Sequence, residues 1–570
     1  MNPFNHNYFL GYVNEITPQY VKVHFPSSNL LEKFTHKGVF YAGGNVGNFI
    51  VIEGEEFGFL ARIIELELPD GEKKSISEKA IQHDETTFHP SGKAELLLSF
   101  SVFEPQKTEK TVSKYPTIGA KVYSCSDEQI ETYVKEFGRK KDEEVEVNVY
   151  ADLGKLTSND ANCRVSLNSV FGRHCAVVGT TGGGKSWTIA KLVSEIVSKT
   201  DNKVILIDAT GEYSKLTTNS LILGTDTYFP YQDLSIPDLF FLLRPTGQSQ
   251  RPVLLEAIRS LKMVRIAKSE NSAFTSNTKQ KADQEKAKYN SFYQKHIKEI
   301  EDNTCNFDIT HLIEQIKEEC IYPIGYTNKV QDPQKWGGYD AKTYDYQTSL
   351  ISRISDLINT KIFNNLLGFQ NVPAHCSSVV NKINSFLSEK SNQILRISFE
   401  NIPSSFAVKE ITANALATFL LNLARGDKFK NDPLILVIDE AHQFLNKNIK
   451  DEYFESQTLD AFDLIAKECR KYGMFLCLAT QMPRDIPVGT LSQMGTFIVH
   501  RLINELDKKS IESAASSANR SALSFLPILG EGEALLVGVD FPMPLLIKVT
   551  EPEKKPQSRT PKLKAKKGTN

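Results

Sequence analysis

The chain has 570 residues, 67 Lys and Arg against 69 Asp and Glu, and a formal net charge of -2. Its 40% hydrophobic and 24% charged residues exclude a disordered or wholly basic protein. Because single hydrophobic cores stop growing near about 250–300 residues, we expect two or three domains. The balanced net charge does not indicate which type of partner the protein binds. Any surface that binds nucleic acid must therefore be a local cluster of Lys and Arg.

The cysteines and the lengths of the apolar runs indicate the cellular compartment of the protein. The eight cysteines are scattered without a C-x-x-C pair, which argues against a zinc ribbon or a dense disulfide framework. The N-terminal segment "MNPFNHNYFL" has no basic stretch followed by an apolar core, and no apolar run approaches the ~18–20 residues that cross a bilayer. We therefore predict a cytoplasmic protein with no membrane partner.

The first part of the chain has the pattern of short strands. Residues 1–115 contain segments such as "QYVKVHF" and "AELLLSFSVF", rich in Val, Phe and Leu and separated by Gly, Pro and Asn. Such a series predicts a small N-terminal β-barrel, followed by a connector over 116–150.

From residue 151 the pattern changes to near-continuous apolar runs that alternate with helical stretches. Runs such as "HCAVVG", "KVILIDA" and "LILVIDE" are typical of a buried parallel sheet. We predict an α/β core in two parts, 151–245 and 391–550, interrupted by a helical insertion over 246–390. The segment 551–570 has seven basic residues after Glu553 and no acidic one, which predicts a flexible basic tail.

A phosphate-binding loop follows the first of these runs. Residues 179–186 fit G-x-x-x-x-G-K-[ST] between a strand-like and a helix-like segment. The backbone N–H groups of this loop point at a β-phosphate, Lys185 reaches the β- and γ-oxygens, and Ser186 can bind Mg²⁺. The alternative is a glycine-rich turn that matches by chance. The predicted nucleotide-binding residues, with ATP and Mg²⁺ as cofactors, are Gly179, Thr180, Thr181, Gly182, Gly183, Gly184, Lys185, Ser186 and Trp187.

An acidic pair supplies the second half of the predicted site. Five apolar residues, Leu434 to Ile438, place Asp439 at the C-terminal end of a buried strand, where open α/β sheets bind ligands. Asp439 is the predicted second Mg²⁺ ligand, and Glu440 is placed to orient the water that attacks the γ-phosphate. The alternative is an Asp-Glu pair that caps the following helix.

The spacing of these motifs favours a motor. Lys185 and Glu440 are 255 positions apart, with further strand candidates at 204–207 and 394–399. This separation predicts an inserted central strand, and hence an α/β, RecA-like phosphate-loop motor domain with a helical insertion behind the β-barrel. The strand "MFLCLAT" ends at Gln481, which can sense the γ-phosphate; an ordinary polar residue at a strand end is the alternative.

Taken together, these motifs resemble the HerA branch of the FtsK/HerA superfamily of hexameric DNA translocases. The resemblance covers most of the chain and follows the family's order. It depends on "RHCAVVGTTGGGKS", "LIDATGEYSKL", "VIDEAHQFL", "IAKECRKYGMFLCLATQMPRDIP", "LSQMGTFIVHRLINELDKKSI" and "GEGEALLVG".

The resemblance implies a homohexameric ring with nucleotide between subunits, so a cation from the neighbour should complete each site. Arg470 is the first candidate for this arginine finger and Arg501 the second; a surface arginine is the alternative for Arg470. Asp208 and Glu212, after the second strand, either help to bind metal or water or only form a turn and a cap.

The resemblance also implies that double-stranded DNA passes through the pore, where six copies of a few cations make a positive channel. Lys447 and Lys450 are channel candidates, unless their segment is a solvated loop, and the tail lysines Lys562, Lys564, Lys566 and Lys567 either contact DNA or solubilise the chain. The implied partner is a nuclease or a Sir2-like effector, in DNA processing or anti-phage defence. Two alternatives remain: a scaffold ring that activates an effector without translocation, and a conjugation or secretion ATPase, which would need a membrane anchor.

Overall fold

A computed structural model describes residues 3–73, 88–103, 108–109, 114–136, 149–158, 161–270, 276–370, 372–403, 407–445, 459–515 and 520–557. The chain forms two compact units. The first unit comprises Met1–Val204, Pro433–His442 and Phe475–Asn570; the second comprises Ile205–Asp432 and Gln443–Met474.

Strands and helices alternate along most of the described chain. The strands are β1 Phe9–Ile16, β2 Val21–His24, β3 Phe34–His36, β4 Val39–Tyr41, β5 Phe49–Ile52, β6 Phe57–Glu67, β7 Ser91–Ser101, β8 Thr108–Glu109, β9 Lys121–Ser124, β10 Tyr150–Leu156, β11 Asn162–Ser166, β12 Cys175–Val178, β13 Lys203–Asp208, β14 Ser220–Ile222, β15 Thr227–Tyr228, β16 Gly325–Thr327, β17 Val330–Asp332, β18 Ser377–Ser378, β19 Ile394–Ser398, β20 Leu434–Ile438, β21 Met474–Thr480, β22 Thr496–Val499, β23 Glu533–Gly538 and β24 Phe541–Val549. The helices are α1 Asp127–Glu136, α2 Leu167–Phe171, α3 Lys185–Lys199, α4 Ile236–Leu243, α5 Gln250–Ser269, α6 Lys286–Lys295, α7 Ile297–Ile300, α8 Leu312–Glu319, α9 Ala341–Asn359, α10 Lys361–Leu367, α11 Val379–Ser388, α12 Val408–Arg425, α13 His442–Leu445, α14 Ala461–Glu468, α15 Val488–Leu491, α16 Glu505–Ala514 and α17 Arg520–Leu523.

The first unit begins with a closed antiparallel β-barrel. Its strands follow the order β2-β1-β9-β5-β6-β7, and pairing of β7 with β2 closes the cylinder. Inward-facing apolar side chains such as Leu10, Val23, Ile50 and Ile63 fill the interior. The barrel is the one predicted from the strand pattern, but β9 lies beyond residue 115, where the sequence placed its end. This strand is only four residues long, too short for its periodicity to stand out.

The remainder of the first unit contains a mixed sheet. The strand order is β11-β10-β24-β23-β22-β12-β21-β20. The strand β12 is parallel to both β21 and β22, whereas β22, β23, β24, β10 and β11 form antiparallel pairs. All residues of β12 and β20 are buried, which explains their continuous apolar sequences.

The second unit contains β13, β19 and β14 and most of the helices. β14 and β19 are parallel. The predicted insertion, 246–390, contains α5 to α11 and an antiparallel hairpin of β16 and β17. One of its apolar clusters joins α5 to α6 and α7 through Met263, Ile266, Tyr289 and Ile300. Among the helices that the structure describes, none carries an apolar stretch sufficient to span a bilayer.

A buried ion pair connects the barrel to the sheet within the first unit. The guanidinium of Arg62, in β6, is 1% exposed; it donates to Glu95 Oε2 at 3.1 Å and to the carbonyl of Pro544, in β24, at 3.3 Å. Burial lowers the pKa of Arg62, and the charge of Glu95 opposes that shift. Removal of one partner would leave the other charge buried and uncompensated.

We expect Arg62→Ala to lower the free energy of unfolding of the first unit by about 3–5 kcal/mol, since Glu95 would remain buried without its cation. Denaturant or thermal unfolding of the full chain measures this loss. The double variant Arg62→Met, Glu95→Leu is the control, because replacing both charges by apolar groups is often neutral. A double variant no more stable than Arg62→Ala would contradict this account.

Candidate nucleotide-binding site

The candidate site lies where parallel strands of the first unit end. Val178, the last residue of β12, is in register with Thr480 of β21 on one side and Val499 of β22 on the other. The strand β20, which leads to the acidic pair, lies beyond β21. The strand between the phosphate-loop strand and the Asp strand is therefore β21, whereas the strand candidates 204–207 and 394–399 belong to β13 and β19, which do not lie between β12 and β20.

The phosphate loop needs glycine at several positions. Gly182 and Gly184 have φ of 78° and 111°, in the left-handed region that side chains disfavour. A Cβ at Gly179 would lie 2.5 Å from the Cβ of His500, which is too close for any side chain. The helix α3 begins at Lys185, directly after the loop, so its first N–H groups face the position of an anion.

Hydrogen bonds from neighbouring strand ends fix the loop. The N–H of Gly179 donates to the carbonyl of Thr480 at 3.3 Å, and the N–H and hydroxyl of Thr180 both donate to the carbonyl of Arg501, at 3.0 and 3.2 Å. On the far side the N–H of Gly532 donates to the carbonyl of Gly183 at 3.2 Å. The Lys185 ammonium donates back to the carbonyl of Thr180 at 3.2 Å, within the loop.

The predicted sensor contacts the loop directly. The hydroxyl of Thr181 donates to Gln481 Oε1 at 2.6 Å. Gln481 follows β21, so this bond connects the loop to the strand that lies between β12 and β20. Thr181 is thus bonded to the residue that directly follows the end of β21.

The acidic pair ends β20 at the same edge. Asp439 is 3% exposed, and the N–H of Ala441 donates to the carbonyl of Ala479 at 2.8 Å. Glu440 has φ of 45°, a strained value for a non-glycine residue that costs about 1–3 kcal/mol. Its Oε2 atom is buried, lies 3.3 Å from His442 Nδ1, and makes no hydrogen bond with the described residues. A buried polar atom without a hydrogen bond is a position where a water molecule, an ion or a ligand can bind.

Thr480 joins the two motifs. Its carbonyl accepts from Gly179 of the phosphate loop, and its hydroxyl lies 3.2 Å from His442 Nδ1, beside Glu440. The structure thus gathers the phosphate loop, the acidic pair and Gln481 around the ends of β12, β21 and β20.

His500, which was not predicted, is part of this site. It is fully buried, and its Nδ1 lies 2.8 Å from the carbonyl of Glu533. A carbonyl only accepts, so Nδ1 carries the proton and Nε2 accepts from the Thr188 hydroxyl at 2.9 Å. Burial, with a smaller effect of the Lys185 charge, lowers the pKa of His500 to about 4. The ring is therefore neutral at physiological pH, and its only sequence signal is a polar residue directly after the apolar strand "TFIV".

The remaining candidates have different surroundings. Asp208 is fully buried in the second unit and accepts from Arg396 and from the N–H groups of three residues of the following turn, Thr210, Gly211 and Tyr213. These contacts correspond to the turn-and-cap alternative. Arg470 is exposed in a 3-10 turn at the end of α14, also in the second unit.

The side chain of Arg501 donates from Nε to the carbonyl of Pro527 at 3.2 Å. The channel candidates Lys447 and Lys450, and the tail lysines Lys562, Lys564, Lys566 and Lys567, lie outside the described residues. Over the part of the chain that the structure describes, no three His, Cys, Asp or Glu side chains converge as a metal site. Ser186 and Asp439 offer the hard oxygen ligands that suit a Mg²⁺ ion bound together with phosphates.

Comparison with known proteins finds relatives that share the motifs of this site. Residues 151–424 match the family profile described as "Helicase HerA, central domain". The chain is 26% identical over 405 residues to probable helicase MJECL08 of Methanocaldococcus jannaschii, with 68% of each protein covered. It is 26% identical over 421 residues to the DNA double-strand break repair helicase HerA of Sulfurisphaera tokodaii, covering 72% of this chain and 71% of that one. The resemblance predicted from the motifs is confirmed.

The chain is also similar to solved structures. VirB4 of Thermoanaerobacter pseudethanolicus is 15% identical, with a TM-score of 0.47 and coverage of 70% of this chain and 96% of that chain. The plasmid coupling protein TrwB in complex with ADP and Mg²⁺ is 13% identical, with a TM-score of 0.39 and coverage of 72% and 92%.

We expect Lys185→Ala to weaken ATP binding about 10- to 150-fold, the worth of a charged hydrogen bond of ~1.5–3 kcal/mol, and to lower turnover as well. Binding of a fluorescent ATP analogue and phosphate release measure the two effects. Lys295→Ala removes a lysine whose side chain is 65% exposed and is the matched control. Unchanged ATP affinity in Lys185→Ala would contradict the assignment of the loop.

Glu440→Gln should keep ATP binding within a few-fold but lower kcat by about 100-fold or more, because the amide cannot take a proton from the attacking water. Single-turnover hydrolysis with a parallel binding titration separates the two quantities. Glu314→Gln changes a carboxylate that is 64% exposed and should behave as the parent chain. Normal hydrolysis by the Glu440 variant would rule out its catalytic role.

Proposed function

We propose, from the match of residues 151–424 to the central domain of helicase HerA, that this ATPase forms a homohexameric ring that drives double-stranded DNA through its pore. Its partner is a nuclease or a Sir2-like effector, in DNA processing or anti-phage defence. The observation that carries the proposal is the meeting of the phosphate loop and the acidic pair at Thr480. Relatives named as DNA double-strand break repair helicases support DNA as the substrate.

Each residue of the site has a proposed task. Lys185 neutralises charge on the β- and γ-phosphates, and the loop N–H groups orient the triphosphate. Ser186 and Asp439 hold Mg²⁺, which supplies charge neutralisation on the phosphates when bound. Glu440 orients the attacking water and accepts its proton. The buried Oε2 of Glu440, which makes no hydrogen bond, and the strained backbone of this residue support the task, since a bound water would supply the missing hydrogen bond.

Coupling of hydrolysis to movement would begin at Gln481. The bond from Thr181 to Gln481 is short, at 2.6 Å, and joins the loop to the end of β21. Loss of the γ-phosphate changes the hydrogen bonds available to the loop, and Gln481 carries that change into the strand. This arrangement supports a role for Gln481 as the sensor of the nucleotide state.

We assign the arginine finger, the cation that completes each nucleotide site, to Arg470 of the neighbouring subunit. Arg501 accepts two hydrogen bonds from the phosphate loop of its own chain through its backbone, and its side chain bonds Pro527. A residue anchored beside its own loop is poorly placed to act on another subunit's nucleotide. The exposed side chain of Arg470 is free of this constraint, which supports it as the arginine finger.

A scaffold ring remains the second candidate function. The chain carries a net charge of -2, so its overall charge does not favour DNA over a protein as the partner. A ring that recruits an effector through its barrels, with ATP turnover as the gate, would use the same catalytic residues. Because both functions would use the same catalytic residues, the test must measure movement along DNA.

We expect linear duplex DNA to stimulate ATP hydrolysis several-fold, and the chain to displace a protein roadblock from that duplex. Displacement of streptavidin from biotinylated DNA with ATP is the measurement, and the Glu440→Gln variant is the control that should bind without displacing. ATPase activity that rises with an effector protein, together with no displacement and no response to DNA, would favour the scaffold instead.

A further inference from the structure

A cavity of about 460 Å³ lies in the first unit beside the phosphate loop. Its volume falls in the range of small-molecule sites, about 300–1,000 Å³. One wall is the ring of Trp187, and the rest comes from the ends of β10, β23 and β24. The residues that line it include Lys155, Thr157, Trp187, Glu533, Val549 and Glu551.

A continuous chain of contacts connects this cavity to the phosphate loop. The carbonyl of Gly183 accepts from the N–H of Gly532 at 3.2 Å, and the carbonyl of Gly532 accepts from the N–H of Val549 at 2.9 Å. Val549 lines the cavity, as does Glu533, the residue after Gly532. Trp187 follows Lys185 by two positions in the first turn of α3, directly after the phosphate loop, and it lines the cavity. A nucleotide with its phosphates in the loop therefore has this cavity next to its nucleoside.

We propose that the cavity holds the nucleoside of ATP, with the base stacked on the Trp187 ring. This inference rests on the proposed ATP site and assigns the part of the ligand that the loop does not bind. Stacking of a base on an aromatic side chain strengthens binding about 5- to 150-fold. A triphosphate without a base would gain no affinity from the Trp187 ring. The base and the phosphates are therefore recognised by separate groups.

The C-terminal segment competes for the same ring. The Lys555 ammonium lies 6.0 Å from the centre of the Trp187 ring and pairs with Glu551 at the cavity. Six ångströms is the outer limit of a cation–π contact, worth a factor of about two to five at an exposed site. Base stacking is stronger, so the nucleotide displaces Lys555 or takes the other face of the ring.

Tryptophan fluorescence tests the proposal, because the chain has only two tryptophans, Trp187 and Trp336. In the full chain with Trp336→Phe and Glu440→Gln, Trp187 is the sole reporter and hydrolysis is blocked. ATP with Mg²⁺ should change the emission with a saturating dependence. Inorganic tripolyphosphate should compete with ATP but leave the emission of Trp187 unchanged.

ATP that binds in a filter assay without changing the emission would overturn the base site while leaving the ATPase proposal standing. Failure of both ATP and tripolyphosphate to bind would overturn the nucleotide site itself, and the base site with it. An equal emission change with tripolyphosphate would also overturn the proposal, since the ring would then report on phosphate.

A variant series gives a second, independent measurement. Trp187→Ala should raise KM for ATP about 5- to 150-fold, with kcat within about threefold and tripolyphosphate affinity unchanged. Trp187→Phe should restore KM to within a few-fold, because phenylalanine keeps a stacking face. Loss of kcat and of tripolyphosphate affinity in Trp187→Ala would show that the ring only supports the loop and would contradict the proposal.

Discussion

The hydrogen bonds that hold the phosphate loop are the constraint on which the rest of the site depends. The loop has no regular structure of its own, and glycines at its turns leave its backbone free to take many shapes. Three acceptors or donors from other segments, the carbonyls of Thr480 and Arg501 and the N–H of Gly532, select one shape. Because those segments end or flank strands of one sheet, the geometry for binding phosphate is a property of the whole sheet edge.

The neutral imidazole ring of His500 packs against the same loop and helps to hold it. His500 packs against Gly179, with its Nδ1 proton held by the carbonyl of Glu533 and its Nε2 bonded to Thr188. A charged ring there would repel Lys185, and burial excludes the proton. The histidine thus serves as a shaped, polar and uncharged spacer between the loop, its helix and β23.

Two acidic residues at strand ends, Asp208 and Glu440, differ in how fully their carboxylates are hydrogen-bonded. Asp208 follows β13 into a set of four donors, including Arg396, that leaves its carboxylate fully engaged. Glu440 follows β20 with a strained backbone and one buried oxygen that lies 3.3 Å from His442 Nδ1 but makes no hydrogen bond with the described residues. The first arrangement stabilises a turn, and the second stores free energy that a ligand can release. Surroundings, rather than residue type, separate a structural carboxylate from a reactive one.

The sequence by itself determined the barrel, the α/β core, the phosphate loop and the acidic pair, because each is a local pattern of apolar spacing or glycine placement. The long separation of the motifs predicted an inserted strand, but the strand that lies between β12 and β20 is β21, which follows the acidic pair in the sequence. Only the tertiary structure placed His500 and Gly532 beside the loop and included β9 in the barrel. Residues more than 300 positions apart meet there through strand pairing, and no local pattern records which strands will be neighbours.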